Sequence, residues 1–107
     1  MLELTEKYVF HIPMYKYVAD ELVPIEIDDL FDDLISYLSE SGFENFYLTK
    51  AKAYYKSRCF DELLITIFAS SKSPETIFEK WFIENNNVLG QESFGYEYGN
   101  RMIIHDL

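Results

Sequence analysis

The stretch Thr49–Phe68, TKAKAYYKSRCFDELLITIF, decides the fold. Its first half alternates. Lys50, Lys52, Tyr54, Lys56 and Arg58 fall on one side of an extended chain, and Thr49, Ala51, Ala53, Tyr55 and Ser57 on the other. From Asp61 onward the pattern changes: Leu63, Ile65 and Ile67 share one parity, Leu64, Thr66 and Phe68 the other, so both sides are apolar. The two halves read as consecutive strands joined by a tight connection near Phe60–Asp61. A hairpin between two helical segments is what distinguishes a split βαβ chain from a simple alternation of strands and helices.

Working outward, the segment IDDLFDDLISYLSESG before the hairpin has Leu30, Phe31, Leu34, Ile35 and Leu38 at helical spacing. Asp28 or Asp29 is expected to cap it, and Gly42 stands where a left-handed terminal residue belongs. After the hairpin, SKSPETIFEKWFIENNNVLG reads as a second helix. Ser73 is its expected N-cap and Pro74 its first helical residue; Ile77, Phe78, Trp81 and Phe82 form its stripe, and Gly90 closes it. At the N-terminal end, KYVFHIPMYKY is aromatic and β-branched, with Pro13 predicting an interruption of strand pairing, and VADELVP reads as a connection with hairpin character. The tail QESFGYEYGNRMIIHDL reads as strand, turn and strand about Gly99–Asn100.

The order strand–helix–strand–strand–helix–strand predicts an α+β, ferredoxin-like βαββαβ sandwich. Two helices lie on one face of an antiparallel sheet, with a small C-terminal hairpin extension. The 107 residues are expected to make one domain, 1–107. The fold hosts unrelated chemistries and implies none by itself.

Composition narrows the class. Hydrophobic residues make up 49% and aromatics 18%, too apolar for a disordered chain. The lone Cys59 rules out an internal disulfide framework, and the first residues lack the basic and apolar regions of a secretion signal. No apolar run approaches the roughly 20 residues of a membrane span. A cytoplasmic protein without a membrane partner is expected. The net charge of −10 is uneven: residues 1–49 carry −9, residues 50–58 carry +4 and residues 59–107 carry −5. Such acidity argues against a nucleic-acid partner, as does the absence of an RNA-binding aromatic signature on the inner strand.

The basic stripe has two readings. Lysines on an edge strand discourage pairing with another chain. The doubly apolar neighbouring strand suggests more: small alanines suit packing under helices, which leaves the lysines on the helix-free side. With the turn at Phe60–Asp61, Lys56 falls opposite Ile65 and Tyr54 opposite Ile67. Lys52, Tyr54, Lys56, Leu63, Ile65 and Ile67 then form an apolar centre with a cationic rim, a surface suited to contact. The expected function is a non-enzymatic, self-associating regulatory or scaffolding module, a homodimer formed through that face. The alternative is a small anionic-ligand-binding domain or small enzyme at the same face or a dimer cleft. His11, Tyr15, Tyr54, Lys56 and Arg58 would line it, with Tyr17 nearby and His11 as the acid or base.

Other motifs are read as structural. Asp28, Asp29, Asp32 and Asp33 resemble the DDxxD magnesium motif of prenyl-diphosphate enzymes, but those are larger all-helical proteins. Acids in a first helical turn are what the dipole favours. His11 and His105 sit on strands expected to be neighbours, with Glu97 or Asp106 available as a further ligand. No ligand spacing supports a metal, so no metal and no cofactor is expected. Cys59 lies beside Arg58 without a base of its own, its parity points towards the helices, and it reads as a buried, inert thiol.

Overall fold

The computed structural model describes residues 1–55 and 57–107. Its elements run β1 (Glu6–Pro13), β2 (Tyr15–Val18), β3 (Glu21–Pro24), α1 (Asp28–Glu40), β4 (Phe46–Tyr55), β5 (Arg58–Ala69), α2 (Glu75–Leu89), β6 (Ser93–Tyr98) and β7 (Arg101–Asp106). Five strands form an antiparallel sheet in the order β4-β5-β1-β6-β7, and β2 and β3 make a separate hairpin. With β2–β3 and β7 set aside, the order is that of the ferredoxin-like sandwich. β7 adds a fifth strand at the β6 edge, in the plane of the sheet, and does not fold over its open face.

The helices cover one face because the apolar parity of each strand points there. Tyr8, Phe10 and Ile12 of β1, Ile65 and Ile67 of β5, and Phe94 and Tyr96 of β6 join Leu34, Leu38, Phe78, Trp81, Phe82 and Leu89 in one buried cluster. Phe78 is its hub. It stacks on Phe10 with centroids 4.4 Å apart and meets Phe82, Phe94 and Tyr96 edge-on. Trp81 donates its indole N–H to the Leu30 carbonyl at 2.8 Å, which joins α2 to α1.

The helix ends partly depart from expectation. Neither helix has a side-chain N-cap bond: Ile27 and Pro74 occupy the cap positions, and Asp28, Asp29 and Glu75 act through the dipole instead. The C-termini are as the glycines predict. At Gly42 (φ +89°) the amide bonds to Ser39 and the Phe43 amide to Leu38, a Schellman closure with Phe43 buried beneath it. Gly90 (φ +62°) closes α2 in the left-handed region.

The central hairpin corrects two expectations. Strand pairing continues through Phe60 and Asp61 as far as Arg58, which stands opposite Tyr55, so the connection is not at Phe60–Asp61; Ser57 has φ +63°. Tyr54 therefore faces Cys59, Lys52 faces Asp61, Lys50 faces Leu63 and Leu48 faces Ile65. Lys56, expected opposite Ile65, lies outside the described residues. The second correction is the face. Lys50, Lys52 and Tyr54 share the parity of Ile65 and Ile67, which is the helix side, and Arg58 has the opposite parity. Small alanines proved a poor guide: Ala51 and Ala53 have the parity opposite to the helix side, and on that parity Phe60 and Arg58 of the outer hairpin meet Tyr17 of β2 instead of a helix. The molecule is elongated, 51 × 27 × 23 Å. Ile65 and Ile67 are 0% exposed and Leu63 packs against the same core, so these three are not available to a second copy.

Candidate active site on the open sheet face

The opposite parity of the strands builds the helix-free face. β1 contributes Val9 and His11, β5 contributes Glu62, Leu64, Thr66 and Phe68, and β6 contributes Glu97. Register places these side chains together. His11 lies directly across from Leu64, one step from the Pro13–Glu62 pair, and Glu97 is paired to Val9. Within this apolar setting the His11 ring is held at both nitrogens: Nδ1 is 3.0 Å from Glu62 Oε2 and Nε2 is 2.7 Å from Glu97 Oε2.

An ionised carboxylate only accepts hydrogen bonds, so a ring placed between two of them satisfies both only by donating from both nitrogens, which favours the imidazolium form. Burial opposes that charge, but the hydrogen bonds and charges of Glu62 and Glu97 together outweigh it and raise the His11 pKa above its usual 6.5. The cluster is a cation between two anions, with one negative charge in excess. Exposure differs among the three: the side chains of His11 and Glu62 are 23% and 26% exposed, that of Glu97 43%. The two carboxylates approach divergent nitrogens and share no centre. Among the described residues no group of three or more ligating side chains could hold a metal ion.

The remaining expected site residues separate. Arg58 has the open-face parity but stands six residues along β5 from the partner of His11, on the order of 20 Å away. Its guanidinium lies 5.0 Å from the Tyr17 ring, which also meets Phe60 edge-on. Tyr54 is 77% exposed, on the other side of the hairpin. Tyr15 sits in β2 and contributes to the surroundings of Lys52. His105 does not approach His11. It faces the helices, stacked on Phe94 and Tyr96, with Nε2 3.2 Å from Glu79 Oε1. Cys59 is exposed, contrary to the inert buried thiol expected. Glu62 is the group that sequence reasoning missed; its signal was an acid of open-face parity standing directly before the apolar run of residues 63–68.

No protein-family model matches the chain, and no curated protein does. Two solved structures share its fold. A phage SAM lyase in the apo state aligns with TM-score 0.65 at 15% identity, covering 100% of this chain and 95% of that one. A phage SAM lyase in complex with S-methyl-5′-thioadenosine aligns with TM-score 0.59, again at 15% identity and with the same coverage. At that identity the likeness shows the fold. The expectation of a non-enzymatic scaffold is corrected by this finding: both matched structures are of an enzyme, one with a small ligand bound, which favours the alternative of a small enzyme or ligand-binding domain. Among the described residues no helix is long and apolar enough to cross a membrane.

Proposed function

We propose that this chain is a small-molecule enzyme of the lyase kind, working at Glu62–His11–Glu97 on the open sheet face. Its substrate is a sulfonium nucleoside of the S-adenosylmethionine type. The observation that carries the reading is the His11 ring hydrogen-bonded at both nitrogens by carboxylates, Nδ1 to Glu62 and Nε2 to Glu97, on the helix-free face. The fold shared with a lyase, one structure of which holds a thioether nucleoside, supports it. The excess negative charge favours a cation, the reverse of the anionic ligand expected from the basic stripe.

The chemistry follows from the roles available. Cleavage of a carbon–sulfur bond in a sulfonium sends the bonding pair to sulfur, which leaves as a neutral thioether. The carbon fragment gives up a proton as its C–H pair becomes the new double bond. Glu97, the more exposed carboxylate, accepts that proton. His11 orients Glu97 through its 2.7 Å hydrogen bond, and Glu62 anchors the ring from its far side. The test is incubation with S-adenosylmethionine and chromatography for S-methyl-5′-thioadenosine. Turnover is expected, with Glu97→Gln lowering it about 100-fold, within the range for loss of a proton acceptor. Absence of both product and calorimetric binding of S-adenosylmethionine would overturn the reading.

A further inference from the structure

The corner between β1 and the outer part of the β4–β5 hairpin is unused by the open-face site. Pro13 is the last residue of β1 paired to β5, and Met14 turns the chain away into β2, a kink held by the Ile25 amide on the Met14 carbonyl at 2.9 Å. Beyond that point β4 and β5 continue without β1 beside them. The space so left is a cavity of about 300 Å³ lined by Met14, Lys50, Ala51, Lys52 and Asp61. Lys50, Lys52 and Asp61 share the helix-side parity, whereas Ala51 has the other and borders the cavity from the strand itself.

Its chemistry differs from that of the rest of the molecule. Lys52 is ion-paired with Asp61 across the hairpin, and Lys50 stands two residues away on the same side, opposite Leu63. Two ammonium groups and one carboxylate leave a local charge of +1 on a chain of −10. At physiological ionic strength the remote acids are screened beyond about 8 Å, so the local sign governs what binds. Met14 and Ala51 add apolar surface, and the volume is at the small end of ligand sites, roughly 300–1,000 Å³. We infer that this corner is a second binding site, for the phosphate or carboxylate group of a small metabolite whose body rests on Met14. Lys50 supplies the first contact, and Lys52 turns from Asp61 to share the oxyanion. Asp61 acts as a competing internal anion that sets the affinity.

The test needs no turnover, so it stands or falls apart from the proposed enzyme activity. The ¹⁵N-labelled chain is titrated with inorganic phosphate and separately with acetate, at constant ionic strength, and amide shifts are followed. Saturable shifts centred on Met14, residues 50–52 and Asp61 are expected. The Lys50→Ala/Lys52→Ala double variant weakens the phosphate response tenfold or more, and Asp61→Asn tightens it several-fold. Acetate acting at similar concentration assigns the site to oxyanions of either kind; phosphate acting alone assigns it to phosphate. Non-saturating shifts spread equally over Lys7, Lys72 and Lys80, or a response untouched by the double variant, would overturn the inference.

Discussion

At the scale of single residues, His11 gives the sharpest test. Its folded pKa is raised above the usual 6.5, so the charged ring is what the fold favours. The sign is that of a base gaining acidic partners. The stabilisation is fully present below the unfolded pKa and is lost as pH rises through the folded value. Carbon-detected titration of the imidazole should give a midpoint above 6.5, and Glu97→Gln should lower it, because one of its two acceptors loses its charge. The predicted lyase activity should fall on the alkaline side as the ring deprotonates, because a neutral imidazole has one N–H donor and no longer positions both carboxylates. A midpoint at or below 6.5 would mean that burial outweighs the carboxylates.

At the scale of elements, the two helices are fixed in different ways. α2 is held by the rings around Phe78, which is 0% exposed, and Phe78→Ala should cost about 3–5 kcal/mol in urea denaturation. α1 ends in the Schellman turn at Gly42, where Gly42→Ala should cost about 1–2 kcal/mol, the penalty of a side chain in the left-handed region. An added Cβ there would also come within 2.7 Å of the Lys72 amine, which donates to the Ser41 carbonyl. These features were readable beforehand: Gly42, Gly90 and the periodicity of Ile77, Phe78, Trp81 and Phe82 are local signals. The hairpin was readable in type and misread in register. Residues 56–61 carry no Asn-Gly or Asp-Gly pair to pin the turn, and strand alternation states that two faces exist without stating which one the helices cover. The candidate site was half visible. His11 stood out by type, and Glu97 had been noted only as a ligand near two histidines that the structure puts on opposite faces. Glu62 joins them only through the β1–β5 register, a long-range pairing that no local pattern encodes.

At the scale of the whole molecule, the net charge of −10 is a standing self-repulsion that remains after all nine basic residues are counted. Raising NaCl from low to near-molar concentration should raise the Tm by screening it, whereas binding of a cationic substrate at the open face should weaken over the same range. Strand order has a separate consequence. β1 lies between β5 and β6, while β4, its partner from the first half of the chain, touches only β5. Across β4-β5-β1-β6 the strands therefore come alternately from the first and second halves of the sequence, interleaved like clasped fingers, and β7 adds to β6 from the same half. Four of the nine basic residues fall within residues 50–58, so trypsin has its densest targets where the hairpin extends beyond the helices. A chain cut there should stay together as a nicked complex. Two separately made pieces, 1–56 and 57–107, should reconstitute the fold on mixing, while the first piece alone gives the spectrum of an unfolded chain.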